Sequence, residues 1–171
     1  MESGRIITVF GAYGHTGRFV VSELHKRGWR AILSGRNRAK LEALHRIYAE
    51  FDVRDASVEE PAALDRALAG ASAVINCAGP FADTAIPVVE AALRAGIHYL
   101  DVAAEQPAVL AVFERIVETA RAAHVAVLPA MAFYGGWVTF WQRPPLRIGR
   151  RRTRSPSRLH SIVGGRRTAR G

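Results

Sequence analysis

The chain has 171 residues, of which 49% are hydrophobic and 23% charged, with a formal net charge of +9. That composition belongs to a folded single domain and excludes a disordered or fibrous chain. Its one cysteine, Cys77, has no partner for an internal disulfide, so a disulfide scaffold is excluded and a reducing, cytoplasmic compartment is expected.

The charge sits at one end. Residues 1–136 hold 14 Lys and Arg against 15 Asp and Glu, whereas residues 137–171 hold ten Arg and no acid. The basicity therefore describes the tail and not the surface of the folded part.

The first 136 residues alternate strand-like and helix-like segments at βαβ spacing. Arg5–Phe10 is apolar and β-branched, too short for a signal-peptide core, and reads as the first strand. Thr16–Arg27 follows as a helix with Phe19, Val20 and Leu24 on one face and Gly28 as its stop. Trp29–Ser34 reads as the second strand, Arg38–Tyr48 as the second helix with Leu41, Leu44 and Ile47 inward, and Ile47–Val53 as a short third strand. Ser57-Val58-Glu59-Glu60 has the pattern of a capping box, opening a helix that runs to Gly70.

Ala73–Cys77 is expected as the fourth strand, and Thr84–Ala95 as a helix closed by Gly96 with Ile86, Val89 and Leu93 inward. Ile97–Val102, Val109–Ala122 and Val125–Met131 complete the pattern as strand, helix and strand. The uncharged run Val125 to Gln142 approaches the length of a membrane span, but Pro129, Gly135 and Gly136 interrupt it, so it reads as a buried strand and a loop. Apolar strands with helices between them predict an α/β fold: a doubly wound parallel sheet of the Rossmann type over residues 1–136, with an irregular basic tail over 137–171.

Gly11-Ala12-Tyr13-Gly14-His15-Thr16-Gly17 lies between the first strand and the first helix. A glycine-rich turn there lets backbone approach a pyrophosphate, whose charge the helix N-terminus stabilises. A ribose-reading acid at the end of the second strand would indicate NAD; the sequence instead has Ser34-Gly35-Arg36-Asn37-Arg38. Arg36 and Arg38 can pair with a 2′-phosphate, which favours NADP over NAD; the alternative is that both are solvated helix-start residues, and Arg38 alone would carry little weight. Asp52 and Val53 are candidates for the adenine edge, with a plain surface aspartate as the alternative at Asp52. Cys77-Ala78-Gly79-Pro80, after Asn76 at the end of the fourth strand, supplies small residues beside ribose and nicotinamide. Cys77 reads as a small packing residue rather than a nucleophile, since no base adjoins it.

The catalytic inventory is thin. Four residues beyond Tyr13, Tyr48, Tyr99 and Tyr134 stand Gly17, Asp52, Ala103 and Val138, so the Tyr-x-x-x-Lys dyad of short-chain dehydrogenases is absent, and the two lysines, Lys26 and Lys40, fall on exposed helix faces. His98, Asp101 and Glu105 gather near the fifth strand, either as substrate-side or proton-transfer groups or as caps of the next loop. No Cys or His pair has metal-ligand spacing, so no metal is expected.

On these residues the chain resembles the NADP-binding domain of the saccharopine dehydrogenase-like family, including bacterial proteins labelled trans-acting enoyl reductases. Five segments carry the likeness in order over residues 5–136: Val9–Gly17, Ser34–Leu41, Val74–Phe81, Ala91–Asp101 and Met131–Gly136. Tyr13 stands where the family usually has threonine, Ala103-Ala104 precedes Glu105 where a glycine is common, and Ala132 replaces another glycine. The resemblance implies a hydride-transferring oxidoreductase whose substrate domain follows the Phe-Tyr-Gly-Gly segment, through Leu-Gly-Asp.

Here Trp137 follows instead, yet sliding the frame by one base across Gly136-Trp137-Val138 permits Leu-Gly-Asp, and continuing through Thr139-Phe140-Trp141-Gln142 permits Leu-Leu-Ala. Residues 137–171 are thus expected to be an out-of-frame reading, leaving a truncated domain that holds dinucleotide without turning over substrate. Two non-enzymatic alternatives stand beside this: an NADP-binding sensor, and a basic arm that binds nucleic acid or an acidic partner.

Overall fold

The computed structural model describes residues 5–132. Within them six strands, β1 (Ile6–Phe10), β2 (Arg30–Gly35), β3 (Asp52–Asp55), β4 (Ala73–Asn76), β5 (His98–Asp101) and β6 (Val127–Leu128), alternate with five helices. The helices are α1 (His15–Lys26), α2 (Arg38–His45), α3 (Pro61–Leu68), α4 (Phe81–Ala95) and α5 (Gln106–Ala122). The strands form one sheet in the order β3-β2-β1-β4-β5-β6, every neighbouring pair parallel. This is the doubly wound Rossmann order, in which the chain direction across the sheet reverses between β1 and β4.

Parallel strands need crossovers on the sheet faces, so both faces are buried and the strands carry few polar residues. Adjacent residues then feed opposite cores. Ile32 joins Leu64, Val74, Val88 and Tyr99 under α3, α4 and α5, while Leu33 joins Val9, Val21, Leu41 and Phe51 under α1 and α2.

Several expectations shift once the elements pack. Phe19, expected to face inward, is 66% exposed, and the buried positions of α1 are Gly17 and Val21. The cause lies at the helix start: Gly17 packs against Gly11 and Ala12, which fixes the rotation of α1 and turns Phe19, two residues on, to the opposite side. Ile47 is 71% exposed, because α2 ends at His45 and β3 begins only at Asp52.

Ser57 does not open a helix; its hydroxyl accepts the Glu59 N–H at 3.4 Å in a turn, and α3 starts at Pro61, a residue suited to a first helical turn. α4 starts three residues earlier than expected, at Phe81, and ends as expected on left-handed Gly96, φ 65°. The last strand is reduced to two residues. No described helix is long and apolar enough to cross a membrane. The readings made of residues 137–171 lie outside the described residues.

Candidate functional site

At the carboxyl ends of β1 and β4 the sheet opens into a cleft of about 570 Å³. One wall is the β1–α1 turn, whose shape is set by close backbone approaches. Gly11 has φ +80°, and a Cβ there would stand 2.8 Å from Ala78 N. The turn can thus lie directly on the β4 loop only because residue 11 has no side chain. Gly11 N–H and Ala12 N–H both donate to the carbonyl of Ser34, at 2.8 and 3.1 Å, and Gly14 N–H donates to Gly11 O at 3.0 Å. A Cβ on Gly17 would meet Gly11 O and stand 2.9 Å from Ala12 Cα. Gly14 is the N-cap of α1, no side chain caps the helix, and its first turn carries no acid. Its first N–H groups therefore lack partners within the helix and are open to an anion.

The cleft draws Gly11, Tyr13, Gly14, Gly35, Arg36, Cys77, Ala78, Gly79 and Pro80 together. Of the other sequence candidates, Ala12 is buried beside the turn, whereas His15 and Thr16 are exposed on the first turn of α1. Ser34 is fully buried, and its hydroxyl has no hydrogen-bond partner among the described residues. Its contribution is the carbonyl that holds the loop.

The two arginines after β2 part company. Arg36 lines the cleft, while Arg38 Nε donates to Glu42 at 2.7 Å and its Nη1 to Asp55 at 2.9 Å. The Arg38 hydrogen bond, followed by backbone hydrogen bonding, holds the Asp55 carboxyl below its ordinary range.

Asp52 and Val53 do not reach the cleft. They begin β3, level with Ile32 and Leu33 in the middle of β2, and neither lines the cleft. The residues that do line it beyond β3 are Ser57, Val58 and Glu59, and α4 adds Asp83, Thr84 and Pro87. Neither group is a sequence candidate, since the sequence places the third strand several residues early and starts α4 only at Thr84. The available signal was that Pro87 stands four residues beyond Asp83 and three beyond Thr84, which puts the three near one face of one helix. Pro87 has no N–H to give, so the carbonyl of Asp83 lacks its helical partner on this wall.

The family model described as saccharopine dehydrogenase NADP binding domain matches residues 7–128. The chain belongs to this family. Saccharopine dehydrogenase-like oxidoreductases of Homo sapiens and Rattus norvegicus are 29% and 27% identical to it over 119 and 117 residues, in each case 58% of this chain and 27% of the relative. The chain thus spans about a quarter of the length of the curated relatives it matches.

Among solved structures, apo saccharopine dehydrogenase (L-Glu forming) from Saccharomyces cerevisiae shares the fold with a TM-score of 0.62, at 22% identity over 75% of this chain and 27% of that one. Triphenylmethane reductase of Citrobacter sp. gives 0.57, at 26% identity over 66% of this chain and 45% of that one. AtPrR2 with NADP+ and (+)pinoresinol gives 0.59, at 15% identity over 75% of this chain and 50% of that one.

In this saccharopine dehydrogenase-type NADP-binding domain the polar residues near β5 hold the scaffold. His98 stands at the amino end of β5, away from the cleft, where its Nδ1 accepts the Ala126 N–H at 3.2 Å. Asp101 is 1% exposed. Its carboxylate accepts from Tyr99 OH at 2.8 Å, Ala103 N–H at 3.0 Å and Ala130 N–H at 2.7 Å. Tyr99 OH in turn accepts from Asn76 Nδ2 at 3.3 Å, which ties the ends of β4, β5 and β6 into one buried network. Burial, and then the Asp101 charge, push the Tyr99 phenol well above its ordinary range. Glu105 caps α4, accepting from Phe81 N–H and Ala82 N–H. Cys77 lines the cleft with its thiol pushed up to about 12, by burial first and the Asp101 charge second, so it stays protonated at neutral pH.

Proposed function

We propose that residues 5–132 hold NADPH across the β1/β4 cleft and present its nicotinamide for hydride transfer within a saccharopine dehydrogenase-like oxidoreductase. The observation that carries this is the pairing of an uncapped glycine loop at one wall with Arg36 at the other, where β2 ends without an acid. The pyrophosphate lies over Gly11–Gly17, against the first N–H groups of α1. The adenosine 2′-phosphate meets Arg36, and the ring system passes Ser57–Glu59. Ribose and nicotinamide run toward Cys77, Ala78, Gly79 and Pro80, where open α/β sheets bind ligand. NADPH supplies the hydride; the residues of this chain bind it, set its orientation and bring its reactive end to the carboxyl edge of β4. A single cysteine, with no partner for an internal disulfide, suits a reducing compartment, and we place the protein in the cytoplasm.

Fluorescence titration with NADPH and NADH tests the assignment. Arg36→Glu is expected to weaken NADPH binding by roughly 10- to 100-fold, the loss of a charge-assisted contact plus repulsion, and NADH binding by less than about threefold. Equal losses for the two cofactors would overturn it.

A further inference from the structure

Arg38 follows Arg36 closely in sequence and is the obvious second cation for a 2′-phosphate, yet it is engaged elsewhere. Two carboxylates, Glu42 and Asp55, already hold its guanidinium. A phosphate dianion approaching it would meet their negative charge.

Lys40, in the first turn of α2, is placed differently. Its Nζ stands 5.6 Å from the centroid of the Tyr13 ring, and no carboxylate lies within salt-bridge distance of it among the described residues. Tyr13 lines the cleft beside Gly35 and Arg36. The ring has room there because residue 35 is glycine; a Cβ on Gly35 would stand 2.9 Å from Tyr13 Cε1. The backbone of Lys40 is anchored too, since its N–H donates to the N-cap side chain of Asn37 at 3.0 Å. An aromatic face attracts an ammonium without neutralising it, so the charge stays available to an anion.

We propose that Lys40, held over the ring of Tyr13, is the second cation of the 2′-phosphate site and sets the preference for NADPH together with Arg36. This rests on the cofactor reading above. Arg38 has a different task, tying α2 to the end of β3.

The test measures dissociation constants of the full chain for NADPH and NADH, with adenosine 2′,5′-bisphosphate and 5′-AMP as nicotinamide-free competitors. Lys40→Ala and Lys40→Gln are each expected to weaken NADPH and the bisphosphate about tenfold while leaving NADH and 5′-AMP within about twofold. Tyr13→Leu, which keeps bulk and removes the aromatic face, is expected to lose about threefold on the phosphorylated ligands alone. Arg38→Ala should leave the NADPH-to-NADH ratio within about twofold. Loss of the ratio in Arg38→Ala, or its survival in both Lys40 variants, would overturn the role of Lys40. A wild-type chain without preference for NADPH, or with a preference indifferent to Arg36, would overturn the cofactor reading itself.

Discussion

Glu105 reaches across from the start of α5 to the first turn of α4, where its Oε1 accepts the Phe81 N–H at 3.0 Å. The other oxygen accepts the Ala82 N–H at 2.9 Å. The N-cap of α4 is Pro80, whose side chain offers no acceptor, so a distant carboxylate does the capping. Glu105→Ala is expected to lower unfolding free energy by about 1–2 kcal/mol in urea titration. Glu105→Gln keeps one acceptor and is expected to lose about half as much. Both should bind NADPH with near wild-type affinity; a loss above tenfold in Glu105→Gln would give the carboxylate a ligand contact instead.

Tyr99 and Asp101 form the centre of the buried network at the ends of β4, β5 and β6. Tyr99→Phe removes one donor from a buried carboxylate and one acceptor from Asn76 Nδ2. The expected cost is about 1.5–3 kcal/mol by denaturant unfolding. Asp101→Asn should cost more, because Tyr99 OH and the N–H groups of Ala103 and Ala130 all lose a charged acceptor. An Asp101→Asn protein as stable as wild type would contradict the network.

Tyr13 and Gly35 are sterically coupled. Gly35 has φ +152°, and an alanine there would bring its Cβ within 2.9 Å of the Tyr13 ring. Gly35→Ala is expected to cost about 1–3 kcal/mol through backbone strain and crowding together. In a double-mutant cycle Tyr13→Thr should recover the crowding part, with a coupling of about 0.5–1 kcal/mol. Additive effects would mean that the backbone conformation alone forbids a side chain at residue 35.

Cys77 is expected to resist alkylation. With its thiol pushed up to about 12, the thiolate fraction at pH 8 is roughly a thousandfold below that of an unperturbed cysteine. Iodoacetamide should therefore label the native protein far more slowly than the urea-unfolded chain, and saturating NADPH should slow it further.

The same shift gives a sign for the alkaline limb. A thiol whose pKa is raised on folding contributes stability that is fully present below the unfolded pKa and is lost as pH rises toward the folded value. Unfolding free energy should fall between about pH 8.5 and 12, and Cys77→Ser should make that limb shallower, most clearly below about pH 10, where the raised Tyr99 phenol does not yet contribute. A limb unchanged by the substitution would remove Cys77 as its source.

The fold and the cofactor were legible in the residues themselves. A glycine-rich turn between an apolar strand and a helix has few structural uses, and Gly11, Gly14 and Gly17 proved to be positions set by close backbone approach or by the opening of α1. The alternation of apolar runs and helices predicted the parallel sheet, because burying both faces leaves central strands such as β1 and β2 no polar side. The end of β2, lacking an acid and carrying Arg36, points to NADP, and the family match agrees.

Local sequence could not say which of several similar charges faces the ligand. Arg36, Arg38 and Lys40 follow one another within five residues, yet only the packing of β3 beside β2 brings Asp55 to Arg38 and leaves Lys40 over Tyr13. Asp52, Asp101 and Glu105 each read either as a site acid or as a plain surface or capping residue. Tertiary packing left Asp52 exposed outside the cleft, enclosed Asp101, and turned Glu105 toward a helix N-terminus. The residues determined that a dinucleotide cleft forms, since backbone conformation and burial periodicity are properties of short segments. Which charged groups line that cleft was decided by tertiary structure, because ion pairs form between elements distant in sequence.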